Sequence, residues 1–263
     1  MYAFEYQRAK SIADAVTALS KSGGKALAGG QSLVGAMKLR LANPGTVVDL
    51  SGIAELKGIK KEGDAVVIGA LTTHAEVASS SVVKQAIPAL AALAEGIGDR
   101  QVRNRGTLGG SLANNDPAAD YPAAVLGLNA TVHTNKRKIA ADDFFKGMYE
   151  TALAADEIIT AVAFPIPKKA AYVKFPNPAS RFALVGVLVA QTGGGVRVAV
   201  TGAAAHVHRA KAIEDALAKS FTADAAKAVK IPATQLNNDL HGSAEYRAHL
   251  VSVLAGRAVA AAG

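Results

Sequence analysis

Two glycine-containing segments carry residue types that can hold a phosphate-bearing ligand. In the first, residues 28–33 (AGGQSL), two glycines follow a short apolar run and precede a helical pattern that opens at Ser32. Glycine lets the backbone approach a ligand closely, and a helix N-terminus presents unpaired N–H groups, so the arrangement can bind phosphate. The same residues also predict an ordinary tight turn with Ser32 as helix N-cap, and the segment alone leaves both interpretations open.

The second segment, residues 104–122 (NRGTLGGSLANNDPAADYP), is too long to be a single turn. It combines adjacent glycines with short hydroxyl and amide side chains and two carboxylates, and structured loops of this length are usually functional. Asp120 is suited to accept hydrogen bonds from neighbouring ribose or ribityl hydroxyls. Alternatively, Asp116 caps a helix that begins near Pro117. Both interpretations can hold, because the two carboxylates need not share a role.

Periodicity predicts a small strand–helix–strand unit around the first segment. A strand is expected at 25–28, a helix at 32–41 and a β-branched strand at 46–50. A helix over 11–20, which ends at two glycines, precedes this unit. The unit therefore places a glycine turn at its first junction.

A different pattern follows. Short strands are expected at 58–61, 65–71, 130–134 and 158–164. A helix over 82–96 contains Pro88, which predicts a kink or a break. In the last hundred residues, strands at 182–191 and 196–204 flank a glycine-rich turn and predict a β-hairpin. Three helices are expected after the hairpin, at 209–219, 222–229 and 243–262.

The prolines at 165 and 167, followed by two lysines, mark the expected domain boundary. The expected domains are 1–167, with subdomains of about 1–55 and 56–167, and 168–263.

Composition excludes several classes of function. The net charge is +8, but the cationic residues are scattered, aromatic residues make up 5% and tryptophan is absent, which argues against nucleic-acid binding. The chain has no cysteine, which excludes disulfides, thiolate-ligated zinc or iron–sulfur clusters, and a thiol nucleophile. We find neither a signal-peptide pattern nor an apolar stretch long enough to span a membrane, and expect a cytoplasmic protein.

Other site templates fail. The glycines of the first segment do not fit G-x-G-x-x-G, no P-loop lysine motif is present, and Gly110-Ser111-Leu112 lacks the second glycine of a nucleophile elbow. His206 and His208 have no third ligand nearby, so we expect no metal site. We also expect no catalytic residue, because the last hundred residues hold no acid–base cluster.

The two segments, taken with their neighbours, resemble a known family. Residues 28–33, 97–111 and 116–120 look like the FAD-binding medium subunit of molybdenum hydroxylases. They are most similar to the aerobic carbon monoxide dehydrogenase type, which is related to the flavin domain of xanthine dehydrogenase. Residues 156–159 and 172–175 also match, so the resemblance covers nearly the whole chain.

The resemblance implies an α+β FAD-binding fold of the vanillyl-alcohol oxidase type, in two subdomains, plus a C-terminal domain of antiparallel sheet and helices. It implies non-covalent FAD and electron transfer within a larger oxidoreductase. The implied partners are a molybdopterin-binding large subunit and a small subunit with two [2Fe–2S] clusters, assembled as a dimer of heterotrimers. An external acceptor, which the resemblance allows to be membrane-associated, takes the electrons from the flavin.

The resemblance also assigns site residues. The backbone of the first segment would hold the pyrophosphate: Ala28, Gly29, Gly30, Gln31, Ser32 and Leu33. Four residues would line the other side of the phosphates and ribityl chain: Thr107, Gly110, Ser111 and Asn114. Asp120 would bind sugar hydroxyls, Ile97 would lie near the isoalloxazine, Ile159 would contact the adenine or flavin edge, and Lys174 would approach the pyrimidine end of the flavin. Gln31 and Asn115 stand where many relatives have histidine.

Two alternatives remain at this point: a stand-alone FAD-dependent oxidoreductase with its own substrate, and a nucleotide-binding regulatory module without redox chemistry. The substrate of the implied complex is equally open, because carbon monoxide, an aldehyde and an N-heterocycle all fit the family.

Overall fold

The N-terminal fifty residues form a three-stranded parallel sheet with the first glycine segment at its edge. A computed structural model describes all residues, 1–263. Its first elements are β1 (Glu5–Arg8), α1 (Ile12–Ser22), β2 (Lys25–Leu27), α2 (Leu33–Lys38) and β3 (Thr46–Asp49). The strand order is β1-β3-β2 and both pairings are parallel. The expected strand–helix–strand unit is confirmed, and its glycine turn follows edge strand β2.

Local sequence sets the limits of these helices. The Ser11 side chain accepts from Asp14 N at the start of α1, and Gly23 ends the helix with a left-handed φ of 60°. Ala15 and Leu19 on one face of α1 are buried in a small core. Helix α2 ends three residues before the expected limit, because Arg40 adopts φ 61°, which no α-helix continues.

A five-stranded antiparallel sheet forms the next unit, in the order β4-β5-β10-β6-β7. Its strands are β4 (Ile59–Glu62), β5 (Ala65–Gly69), β6 (Thr131–Thr134), β7 (Lys138–Ala140) and β10 (Ile159–Pro165). The segment from β7 to β10 also holds α9 (Ala141–Phe144) and a small hairpin of β8 (Phe145–Gly147) and β9 (Glu150–Thr151).

Six helices connect β5 to β6. They are α3 (His74–Ser79), α4 (Ser81–Ala86), α5 (Pro88–Glu95), α6 (Arg100–Arg103), α7 (Leu108–Asn114) and α8 (Tyr121–Gly127). The helix expected over 82–96 is broken into α4 and α5 at Ile87, whose φ of −141° and ψ of 70° are not helical. Pro88 disfavours the helical conformation for the residue before it and then serves as the first residue of α5.

The C-terminal residues form a four-stranded antiparallel sheet covered by helices. Its strands are β11 (Lys169–Pro176), β12 (Ala183–Thr192), β13 (Gly195–Thr201) and β14 (His208–Arg209), and its helices are α10 (Lys211–Lys219), α11 (Ala223–Lys227) and α12 (Ala244–Ala262). The predicted hairpin is confirmed as β12 and β13, and so is the mixed α+β class. None of the helices is both long enough and apolar enough to cross a bilayer.

The main core joins this sheet to the middle of the chain. Leu188, Ala190 and Ala199 belong to the same buried cluster as the β5, β10 and α8 side chains. A Cβ placed on Gly127 of α8 would lie 2.5 Å from Leu188 Cδ2, so the helix packs directly on the sheet. The C-terminal sheet is therefore fixed against the helices that carry the second glycine segment.

Asn115 ends α7 and ties it to the β8–β9 hairpin. It adopts a left-handed φ of 44° and is fully buried. Its Nδ2 donates to the carbonyl oxygens of Gly147 and Glu150, both at 2.8 Å. Asn115 therefore has a structural role in this chain.

We expect Asn115→Gly to lower the free energy of unfolding by about 1–3 kcal/mol, because two backbone carbonyls lose a buried donor while glycine keeps the left-handed conformation. Asn129 provides the matched control, since it has φ 55° and an exposed side chain. Asn129→Gly should leave stability nearly unchanged. Urea unfolding of the two variants and the wild type measures the difference, and equal midpoints for all three would contradict the assigned role.

Candidate functional site

The turn after β2 presents a run of unpaired backbone donors. Leu50 N donates to Leu27 O at 2.9 Å, which is the last pairing of the strand, and the N–H groups of residues 28–32 donate no hydrogen bond within the chain. Gly30 has a φ of 74° in this turn. Consecutive free N–H groups in a glycine turn form an anion-binding surface. The site therefore lies in the turn itself, ahead of the short helix α2.

The alternative in which the Ser32 side chain caps α2 is wrong. Ser32 has φ −115° and ψ −58°, and its side chain makes no capping hydrogen bond. It is exposed at the start of the helix. The hydroxyl thus remains free for a ligand.

The two glycine segments contact each other. A Cβ on Gly29 would lie 1.9 Å from the Arg105 carbonyl oxygen and 2.8 Å from Gly106 Cα, so the two backbones touch. A Cβ on Gly110 would lie 3.5 Å from Ala28 Cβ. The fold therefore brings together two segments that the sequence presents separately.

The first turn of α7 offers few donors of its own. Leu108 N donates to Thr72 O at 3.0 Å and Gly109 N to Ala70 O at 2.8 Å. Gly110 N donates to the Thr107 hydroxyl at 3.2 Å. The bonds from Leu108 and Gly109 fasten the second segment to the residues that follow β5. The segment thus forms a wall of small residues beside the donor turn, with the half-buried side chains of Ser111 and Asn114 further along α7.

Close packing behind this wall requires glycine. A Cβ on Gly109 would lie 2.6 Å from Ala70 Cβ, and one on Gly106 would lie 2.5 Å from His74 Nε2. His74 is buried and its ring lies 5.2 Å from that of Tyr121. Burial and the nearby Arg103 charge lower the pKa of His74 to about 4, so the imidazole is neutral at pH 7. Its role here is to support the Gly106 backbone.

The helix expected to begin near Pro117 begins at Tyr121 instead. Asp116 does not cap it: its Oδ1 accepts from Ala118 N at 2.9 Å and closes a local turn. Competition from this turn keeps residues 117–120 out of the helix. Asp120 directly precedes α8, and its side chain makes no capping bond there.

Asp120 is buried at a junction of three elements. Its Oδ1 accepts from Tyr172 Oη at 2.6 Å, and Lys174 Nζ lies 3.0 Å from Oδ1 and 3.2 Å from Oδ2. Lys174 Nζ also donates to Gly96 O at 2.9 Å, next to the half-buried Ile97. Burial raises the pKa of the Asp120 carboxyl, while Lys174 and Tyr172 oppose that rise. Three predicted positions, Asp120, Lys174 and Ile97, thus lie close together.

The sequence analysis missed Tyr172 as a partner of Asp120. Tyr172 and Lys174 alternate along β11, so their side chains share one face of the sheet. That periodicity was readable in the sequence, but the carboxylate opposite them is more than fifty positions away. Only the packing of α8 against the C-terminal sheet identifies it.

The C-terminal sheet also holds the second segment directly. Thr201 Oγ1 donates to the carbonyl oxygens of Pro117 at 3.0 Å and Ala119 at 2.7 Å, and Gly202 N donates to Pro117 O at 2.8 Å. These bonds span the residues immediately before Asp120. The C-terminal sheet therefore holds the backbone immediately before the acidic residue.

Ile159 opens β10 within the main core. Its neighbour Thr160 accepts from Ala70 N at 3.0 Å, and Ala70 contacts Gly109. The strand thus supports α7 from behind. The structure shows core packing for the Ile159 side chain, and its contact with a ligand stays a prediction.

The turn before Ile159 is closed by a paired carboxylate. Glu157 accepts from Arg137 Nε and Nη2, both at 3.0 Å, from Thr134 Oγ1 at 2.7 Å and from Ala154 N at 3.0 Å. Chiefly because of Arg137, the pKa of the Glu157 carboxyl falls to about 2. The ionised carboxylate stabilises the turn that leads into β10.

Comparisons with known proteins place this geometry in a family. Residues 2–167 match the family described as the FAD binding domain in molybdopterin dehydrogenase, and residues 170–262 match the CO dehydrogenase flavoprotein C-terminal domain. The chain belongs to this family. It is an FAD-binding subunit of the molybdenum hydroxylase type, and FAD is its cofactor.

Two relatives with the same subunit type in their names match over nearly their full length. The chain is 40% identical to the nicotine 6-hydroxylase medium subunit of Paenarthrobacter nicotinovorans, over 99% of this chain and 98% of that protein. It is 37% identical to the carbon monoxide dehydrogenase medium chain of Hydrogenophaga pseudoflava, over 98% and 96%. A solved structure of carbon monoxide dehydrogenase from the same organism, lacking the Mo-pyranopterin moiety, superposes with a TM-score of 0.90, at 38% identity and 99% and 97% coverage. The family resemblance noted in the sequence is confirmed.

Gly29→Ala should separate the two glycine segments, because its Cβ would overlap the Arg105 carbonyl. Overpacking of this kind lowers stability by about 1–3 kcal/mol, and we expect FAD affinity to fall about tenfold or more. Gly35→Ala is the matched control, since a Cβ there meets nothing within 4 Å. Flavin fluorescence titration and urea unfolding measure both effects. Equal FAD affinity in the two variants would show that the contact does not shape the site.

Glu157→Gln should lower the free energy of unfolding at pH 7 by about 1–3 kcal/mol. This range is smaller than the pKa shift alone would give, because Arg137 is half exposed and solvent screens the ion pair. The native pKa is depressed, so this stabilisation is present above the ordinary glutamate pKa and is lost as the pH falls from about 4.5 to about 2. Glu62→Gln, in an exposed pair with Lys60, is the control. Urea unfolding at several pH values checks the trend, and a Glu157→Gln deficit that persists at pH 2 would contradict it.

Proposed function

We propose that this chain carries electrons through FAD from [2Fe–2S] clusters of a small partner subunit to an external acceptor, within a molybdenum hydroxylase. The observation that carries the proposal is the run of free N–H groups in residues 28–32, held against the Arg105–Gly106 backbone. A diphosphate needs such a set of donors, and the basic net charge of +8 also suits it. The residues therefore fit FAD.

The proposed roles follow the placement of the residues. The backbone of residues 28–33 binds the pyrophosphate, and a wall along α7 faces the phosphates and ribityl chain: Thr107, Gly110, Ser111 and Asn114. Asp120 accepts from sugar hydroxyls, and Ile97 and Ile159 contact the rings. Lys174 lies toward the pyrimidine end, where a positive charge favours the reduced anionic flavin. When bound, FAD exchanges electrons one or two at a time, which joins single-electron clusters to a two-electron acceptor.

Because the chain has no cysteine, the iron–sulfur clusters must lie in another subunit. No residue here can ligate an iron–sulfur cluster through a thiolate, so the relay belongs to a partner. We propose residues 1–167 as the FAD-binding domain, with subdomains of about 1–55 and 56–167, residues 168–263 as the C-terminal flavoprotein domain, and a dimer of heterotrimers as the assembly. Substrate oxidation then lies in the molybdopterin-binding large subunit. Relatives of this chain are named for substrates as different as nicotine and carbon monoxide, which supports that division.

The test compares the isolated chain with the assembled complex. Loaded with FAD, the isolated chain should be bleached by dithionite but not by carbon monoxide, aldehydes or N-heterocycles, whereas the complex with its neighbouring subunits should be bleached by its own substrate. Bleaching of the isolated chain by any of these donors would favour the stand-alone oxidoreductase. A complex that holds FAD but shows no bleaching by its own substrate would favour the regulatory module.

Asp120→Asn should weaken FAD binding about tenfold to a hundredfold, because hydrogen bonds from hydroxyls to a charged acceptor contribute about 1.5–3 kcal/mol. Asparagine is preferable to alanine here, since alanine would remove the acceptor that Tyr172 and Lys174 share. Asp116→Asn is the control, because that carboxylate closes a turn. Flavin fluorescence titration gives both affinities. Wild-type affinity in Asp120→Asn would remove Asp120 from the site.

A further inference from the structure

Tyr172 supplies the short hydrogen bond that orients Asp120. Its hydroxyl donates to Oδ1 at 2.6 Å, across 52 positions of sequence. Burial and the Asp120 charge raise the pKa of Tyr172 well above its ordinary value, so the hydroxyl stays protonated and acts as a donor at all working pH values. The Lys174 ammonium acts as a point charge, so by itself it would let the Asp120 carboxylate rotate. The O–H bond from Tyr172 is directional and selects one carboxylate oxygen.

The fold makes a specific space for this hydroxyl. Gly186 on β12 pairs with Lys174 of β11. A Cβ on Gly186 would lie 2.2 Å from Tyr172 Oη and 2.9 Å from Thr201 Cγ2. Any larger residue at 186 would displace the hydroxyl from Asp120. The neighbouring Thr201 also fixes the Pro117 and Ala119 carbonyls ahead of Asp120, so both ends of the contact are held by the same sheet.

The two carboxylate oxygens of Asp120 differ in the number of hydrogen-bond donors that they face. Oδ1 accepts from Tyr172 and lies 3.0 Å from Lys174 Nζ, whereas Oδ2 has Lys174 as its only donor, at 3.2 Å. A carboxylate has about four acceptor positions. Oδ2 therefore keeps capacity for a donor from outside the chain.

We propose that Tyr172 is a positioning residue for FAD: by occupying Oδ1 it holds Asp120 so that Oδ2 accepts from a sugar or ribityl hydroxyl, and Gly186 provides the space for it. This inference rests on the proposed role of Asp120 in FAD binding. Strands β11 and β12 then contribute to cofactor recognition, because Tyr172 and Gly186 together set the orientation of the Asp120 carboxylate.

The experiment is a double-mutant cycle on the full chain, read as the Kd of FAD from flavin fluorescence. Tyr172→Phe keeps the ring and removes only the hydroxyl, and should raise Kd about five- to tenfold. In an Asp120→Asn background, the same substitution should change Kd less than twofold, because the orientation of the charged acceptor no longer matters. Tyr149→Phe is the matched control: it removes a hydroxyl bonded to Asp116 Oδ2 at 3.3 Å and should leave Kd unchanged.

The outcomes separate this inference from the proposed function. Wild-type affinity in Asp120→Asn would refute the role of Asp120 itself. Weakened binding in Asp120→Asn with wild-type affinity in Tyr172→Phe would overturn only the positioning role. An equal effect of Tyr172→Phe in both backgrounds would overturn it too, because a general structural defect acts independently of Asp120.

Urea unfolding of each apo variant shows whether the fold is retained. If Tyr172→Phe does not fold, Gly186→Ala tests the same contact, since its Cβ displaces the hydroxyl from the opposite strand. It should then weaken FAD binding in the wild-type background and not with Asp120→Asn. An unchanged Kd in Gly186→Ala would overturn the inference.

Discussion

The contact between the Gly29 backbone and that of Arg105 and Gly106 is the constraint on which the site depends. The Arg105 carbonyl lies where a side chain on residue 29 would stand, so the turn after β2 and the helical segment between β5 and β6 meet without intervening atoms. The backbone N–H groups of residues 28–32 donate no hydrogen bond within the chain, so they remain available to a ligand beside this junction. The edge position of β2 in its sheet leaves that turn open.

Support for the junction comes from outside it. Backbone bonds from Leu108 and Gly109 reach Thr72 and Ala70 at the end of β5, and β10 lies behind them. From the other side, Thr201 and Gly202 of the C-terminal sheet hold the Pro117 and Ala119 carbonyls. The second glycine segment is therefore held between two sheets, one that contains β5 and β10 and the other at the C-terminus. The C-terminal sheet, although it has no acid–base cluster, thus holds the segment that leads to Asp120.

The C-terminal sheet also supplies the partners of the buried Asp120 carboxylate. The buried Asp120 is tolerated because Lys174 and Tyr172 face it, and Lys174 also reaches the carbonyl at the end of α5. A buried carboxylate without such partners would take up a proton. Lys174 and Tyr172 thus oppose the rise that burial causes in the pKa of Asp120, which lies next to residues proposed to meet the flavin. In the proposed complex, the protein supplies binding and charge, and the redox chemistry belongs to FAD and to the partner chains.

The sequence by itself determined the family, the cofactor and most of the elements. The two glycine segments, the strand–helix–strand unit and the C-terminal hairpin were predictable because each is encoded by residues a few positions apart. Local competition was harder to predict: the Asp116 turn delays the helix to Tyr121, and Pro88 divides a helix in two. Only the tertiary structure decided that Gly29 touches Arg105 and that Asp120 receives both Tyr172 and Lys174. These pairs lie far apart in the chain, so their contact depends on how sheets and helices pack, and periodicity carries no information about that.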